Sequence, residues 1–281
     1  MYHELLLISL IIFSLLIVIL LFAGNYFYNF AILGRKKEFL KDDPDLRETS
    51  SGASWDTRKE WLQQQIQEVH TIRSYDDLKL NAIYIPCKLP SRKTVILVHG
   101  YNSWSGSMGG FAEYYTEVLG CNVLLPDLRG HGESEGSYIG FGWHDRKDIL
   151  QWIDLLIEKL GHSNQIVLHG VSMGAAAVLM TSGEELPDNV KCIISDCAYS
   201  SVSGILGYQV KRMFKLPKFP LIYFTSLICK FVPTEMVYEL FEAALCPKEL
   251  FVVTDAAHGT SFWKDPEKYK AAVKDFLQKY I

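Results

Sequence analysis

The chain has 281 residues, a hydrophobic share of 49% and a formal net charge of −4. That length holds one domain with a full core, and the weakly acidic balance excludes a nucleic-acid partner held by a basic surface. The six cysteines, Cys87, Cys121, Cys192, Cys197, Cys229 and Cys246, lack metal-ligand spacing, so neither a metal site nor a disulfide framework is expected, and a reducing environment fits.

The first element in chain order is apolar. Leu5 to Ala23 carries no charged residue, and about 20 apolar residues suffice to cross a bilayer as a helix. A cleaved signal peptide is the competing reading, but it calls for a basic leader, and Met1-Tyr2-His3-Glu4 has no Lys or Arg. A buried core helix is the third. Tyr26, Phe27 and Tyr28 suit a membrane interface, and Arg35, Lys36 and Lys37 place the following side in the cytoplasm. Residues 1–34 therefore read as a single-pass anchor in the cell membrane. Residues 35–65 read as a juxtamembrane linker with a helix near Ser54 to Gln67, and 66–281 as the folded domain.

Within that domain, Gln67–Arg73 and Lys79–Ile85 read as a hairpin around Asp76-Asp77. Four short apolar runs follow: Thr94–Val98, Asn122–Leu125, Gln165–Leu168 and Lys191–Ser195. Helical segments separate them at Ser107–Leu119, His144–Leu160 and Ala175–Glu185. Short apolar runs alternating with helices are the pattern of buried parallel strands in a doubly wound α/β sheet. Function in such sheets gathers at the C-terminal strand ends.

Gly170-Val171-Ser172-Met173-Gly174 fits G-x-S-x-G between a strand and a helix, where a tight turn requires small neighbours and exposes the serine hydroxyl. Ser172 is the candidate nucleophile. The Met173 backbone N–H, at a helix N-terminus, is a candidate oxyanion donor, and Tyr101, after His99-Gly100, supplies the second. His99 reads as a histidine holding that loop. Asp127 to Ser134 reads as a structural turn, with Asp127 and Arg129 tied into loop hydrogen bonds. His258 follows the last apolar run, Leu250–Thr254, and precedes a terminal helix at Pro266–Tyr280. It is the candidate general base.

These segments together resemble the membrane-anchored bacterial α/β-hydrolases related to serine aminopeptidases and acyl-ester hydrolases. The resemblance rests on VILVHGYNS, LLPDLRGHGES, GWHDRKD, IVLHGVSMGAA, IISDCAYSS, FVPTEMVYELFEAA and HGTSFW, and spans roughly residues 60–281. It implies an α/β-hydrolase fold, an acyl-enzyme on Ser172, and a small-molecule ester, thioester or peptide substrate with no cofactor. It also implies one more interior strand carrying an acid for the histidine. No Asp stands between Cys197 and Thr254, and Leu227-Ile228-Cys229-Lys230 runs straight into Phe231-Val232-Pro233. Either the ladder is broken or Leu221–Val232 fills in. Asp196, Glu235 and Asp255 are the candidate replacement acids, with no effective acid as the alternative. Residues 199–232 read as a lid, apolar with interspersed Lys211, Arg212, Lys215 and Lys218. The competing functional reading is a catalytically impaired, membrane-tethered binding protein on the same fold, and a third is an acyltransferase.

Overall fold

A computed structural model gives the architecture and describes residues 2–31, 33, 60–202, 204–205, 235–256 and 258–281. The chain divides into two compact units, Met1–Leu33 with Ser201–Phe231, and Gly34–Ser200 with Val232–Ile281.

In the first unit, helix α1 (Tyr2–Ala31) is continuous. Its segment Tyr2–Ala23 has a mean hydropathy of 3.4 in its most apolar window, none of it buried. At 1.5 Å per residue it spans about 33 Å, the thickness of a bilayer's hydrocarbon core. By length and composition this helix is apolar enough to cross a membrane, a test that a signal sequence also meets. Of the predicted lid, residues 203 and 206–232 lie outside the described residues. So do 35–59 of the predicted linker.

The second unit is built on one sheet. Strands β1 (Glu68–Arg73) and β2 (Lys79–Ile85) form the expected hairpin, with Asp77 in the left-handed region its turn requires. Then come β3 (Lys93–Val98), a helical stretch from Ser105 containing α2 (Gly109–Glu113) and running to Val118, and β4 (Asn122–Pro126). Helix α3 (Asp145–Leu160), β5 (Gln165–Val171), α4 (Met173–Thr181) and β6 (Val190–Asp196) complete the alternation. Helices α5 (Glu235–Ala243), α6 (Ser261–Lys264) and α7 (Pro266–Leu277) close the chain. The strand order is β1-β2-β4-β3-β5-β6. β3 pairs in parallel with both β4 and β5, and β5 with β6, while β2 meets β4 antiparallel. The four strands that read as apolar runs are thus the parallel set. Val95 to Val98, Val123 to Leu125 and Ile166 to Leu168 are all fully buried, as strands covered on both faces must be.

The apolar run Leu250–Thr254 forms no strand. Leu250, Phe251 and Val252 are 37%, 44% and 46% exposed. Among the described residues the sheet ends at β6. A run built to be buried in a ladder needs a hydrogen-bonding neighbour, and no described strand stands between it and β6.

Candidate active site

Ser172 occupies a sharp turn between β5 and α4, with φ 57° and ψ −114°. A non-glycine residue in that region stores on the order of 1–3 kcal/mol of strain. The two flanking glycines are steric necessities. A Cβ on Gly170 would lie 2.2 Å from the Gly174 carbonyl oxygen, and one on Gly174 would lie 2.1 Å from the Val98 oxygen. The turn is pinned from β6, since the Ser172 N–H donates to the Asp196 main-chain oxygen at 2.8 Å.

The Ser172 hydroxyl lies 2.7 Å from His258 Nε2. His258 comes from the loop before α6, where Asp255 and Gly259 both take positive φ. Ser172 and His258 are both half-buried. Met173 is the first residue of α4, where backbone N–H groups lack intrahelical partners. Gly100 borders the serine from β3, since a Cβ there would sit 3.3 Å from Ser172 Cβ and 3.8 Å from Oγ. The loop bearing Tyr101 is thus beside the serine.

His99 is fully buried and grips this loop. Its Nε2 lies 3.0 Å from the Leu128 N–H and its Nδ1 lies 2.8 Å from the Gly100 oxygen. Burial lowers its pKa to about 4, so the ring is neutral. It accepts at Nε2 and donates at Nδ1. Asp127 links the same two loops, accepting from the Ser105 and Glu133 N–H groups at 2.6 and 2.9 Å. Arg129 is fully buried and held in bidentate fashion by Asp148 and Asp76. The Arg129 hydrogen bonds hold the Asp76 carboxyl down at about 2.

Of the acid candidates, Asp196 ends β6 and is buried. Its Oδ2 accepts from the Tyr269 hydroxyl at 3.1 Å, and Ser261 and Cys197 also hydrogen-bond the carboxyl. Burial raises its pKa, against these hydrogen bonds. Asp255 is exposed on the loop before His258, and Glu235 opens α5. The sequence did not disclose the partners of Asp196. Tyr269 OH lies 3.2 Å from His169 Nε2, and Tyr115 OH lies 2.9 Å from His169 Nδ1. Burial lowers the His169 pKa to about 3, so this ring too is neutral. Because Tyr269 donates to Asp196, its oxygen accepts from His169 Nε2–H, and His169 Nδ1 then accepts from Tyr115. One directed chain of hydrogen bonds runs from the helical stretch after β3 to the end of β6. The only sequence signal for it was a histidine inside an apolar strand.

A parallel sheet crossed by a nucleophile-elbow turn, with a histidine above it, defines the α/β-hydrolase fold, and the chain has that fold. Residues 93–221 match the family model described as alpha/beta hydrolase fold. An esterase of Pyrococcus furiosus superposes with a TM-score of 0.63 at 25% identity, over 77% of this chain and 92% of that one. An esterase from Exiguobacterium antarcticum shares the fold at 16% identity and a TM-score of 0.54, over 74% and 98% of the two chains. In sequence, the chain is 25% identical over 216 residues to the uncharacterized protein YqkD of Bacillus subtilis, covering 66% of this chain and 70% of that one. Fold and esterase likeness together support a hydrolase.

Proposed function

We propose that the protein is a serine hydrolase that cleaves an ester, thioester or amide through an acyl-enzyme on Ser172. The observation that carries this reading is the 2.7 Å contact between Ser172 Oγ and His258 Nε2 on a strained turn. Oγ attacks the substrate carbonyl while His258 takes its proton, and the carbonyl oxygen becomes an oxyanion held by the Met173 and Tyr101 N–H groups. His258 then protonates the leaving group. In the second half it activates water, which releases the acid and restores Ser172. These steps draw on no metal or organic cofactor.

Asp196 serves this site through the elbow: its main-chain oxygen holds Ser172 N–H, and Tyr269 fixes its carboxylate. Residues 1–34 anchor the chain in the membrane, with the hydrolase domain on the cytoplasmic side, as Arg35, Lys36 and Lys37 favour.

A fluorophosphonate probe tests the reading. It is expected to label Ser172, and Ser172→Ala is expected to abolish both labelling and hydrolysis of activated esters. Unchanged hydrolysis in Ser172→Ala would overturn the assignment. A folded wild-type chain that resists the probe would favour the binding-protein reading instead. Product analysis with an added alcohol acceptor separates hydrolysis from acyl transfer.

A further inference from the structure

The turn after β4 contains a second histidine that the mechanism leaves unused. His131 is buried, 7% exposed, on the turn that follows Asp127. Its main chain is fixed at both ends: its N–H donates to the Leu128 oxygen and its oxygen accepts from the Ser134 N–H, each at 3.0 Å. Its ring nitrogens face two different backbone groups. Nδ1 lies 3.1 Å from the Arg129 carbonyl oxygen, and Nε2 lies 3.2 Å from the Asn102 backbone N–H. A carbonyl only accepts and an N–H only donates, so the pair of contacts requires a ring protonated at Nδ1 with a lone pair at Nε2.

Asn102 follows Tyr101, and its φ is 54°, a conformation asparagine tolerates better than most residues. A peptide unit is planar, so a hydrogen bond at the Asn102 N–H fixes the plane shared with the Tyr101 carbonyl, and hence ψ of Tyr101. The preceding plane, which carries the Tyr101 N–H, is already gripped by His99 at the Gly100 oxygen. Tyr101 is therefore clamped on both sides by neutral histidines. The two rings meet edge to face, with centroids 5.1 Å apart. The Tyr101 ring lies edge-on to His131 at 6.4 Å and stacks on Phe141 at 5.8 Å. The far end of the clamp is rigid, because Arg129 is locked between Asp76 and Asp148.

We infer that His131 is a positioning residue for the oxyanion hole, acting through Asn102 to aim the Tyr101 N–H at the reacting carbonyl. This rests on the oxyanion role proposed for Tyr101. The contribution is one of geometry, delivered when the carbonyl oxygen gains charge, so it belongs in kcat rather than KM.

Three variants of the full-length chain in detergent decide it. His131→Leu fills the space but removes the acceptor. His131→Gln places an amide oxygen close to where Nε2 stands, whereas His131→Asn places one nearer Nδ1. With an activated ester, His131→Leu is expected to lower kcat about 10- to 100-fold with KM within about twofold. His131→Gln is expected to recover most of that loss, and His131→Asn is not. Amide hydrogen exchange over residues 99–105 gives a readout independent of turnover. It is expected to quicken about tenfold in His131→Leu and to stay near wild type in His131→Gln. Equal behaviour of the Leu and Gln variants, in exchange or in kcat, would overturn the inference and leave His131 a space-filling residue. Absence of wild-type hydrolysis and labelling would instead overturn the serine-hydrolase reading, and the exchange data would still decide whether His131 holds the loop.

Discussion

Gly174→Ala is the sharpest test of the elbow. The added Cβ would lie 2.1 Å from the Val98 carbonyl oxygen and 2.6 Å from that of His99. Real Cβ contacts do not fall below 3.0 Å, so helix α4 and the end of β3 must separate by about 0.9 Å along that line. Both atoms in the way are backbone, so no rotamer change relieves the clash. Overpacking of this kind costs about 1–3 kcal/mol. The segment pushed away leads directly into Gly100 and Tyr101, and a misplacement of about 1 Å in a catalytic constellation can cost about 10²-fold in rate. The expected result is a folded protein with a lower urea midpoint and a kcat on activated esters down about 10²-fold. Gly183→Ala is the control, because its nearest neighbour, the Met180 oxygen, is 3.5 Å away. It should change neither quantity measurably. A Gly174→Ala variant with wild-type kcat and midpoint would refute the steric account of the turn.

Two further expectations follow from buried carboxylates. Asp196→Asn keeps the main-chain oxygen that holds Ser172, so it should lower kcat only about tenfold, whereas removing an acid that orients His258 would cost on the order of 10⁴; steady-state kinetics separate the two, and the larger loss would make Asp196 the acid. Asp145 is fully buried, with Oδ2 accepting from the Gly142 N–H at 2.8 Å and Oδ1 without a partner. Burial, followed by the charge of Asp148, pushes its carboxyl up from 3.8 to about 6. The folded chain then binds this proton more tightly than the unfolded chain does, so the group lowers stability as pH rises from about 4 through about 6. Asp145→Asn should therefore gain on wild type across that window, by up to about 3 kcal/mol at pH 7. Urea unfolding at pH 4.5 and pH 7 checks this, and a difference that does not change with pH would refute it.

Much of the fold was legible because its determinants are local. The strands around Val95, Val123 and Val167 are apolar on both faces, and only a covered parallel sheet explains runs that short. The hairpin was marked by its turn at Asp77. Leu250–Thr254 has the composition of a strand but forms none. Composition states what a segment could pair with, while pairing needs a neighbour, and among the described residues no strand pairs with this run.

The site divides along the same line. A Cβ on Gly170 would strike the Gly174 carbonyl, and the two lie four positions apart, so the elbow is written as a motif. The contacts that complete it are not. Asn102 meets His131 across 29 positions, Tyr269 meets Asp196 across 73 and His169 across 100. Each of these residues has a bland local reading, and only the fold selects the other one. Ser172 and His258 are themselves 86 positions apart, but their pairing could be sought in the sequence, because a serine in a G-x-S-x-G turn calls for a histidine late in chain order. The acid obeys the same demand. Its absence from the expected place therefore shifts the burden to geometry. The elbow is held by Asp196 and its tyrosine–histidine chain, and the loop after β3 by His99 and His131, so the orientation of this site is distributed over groups far apart in the sequence.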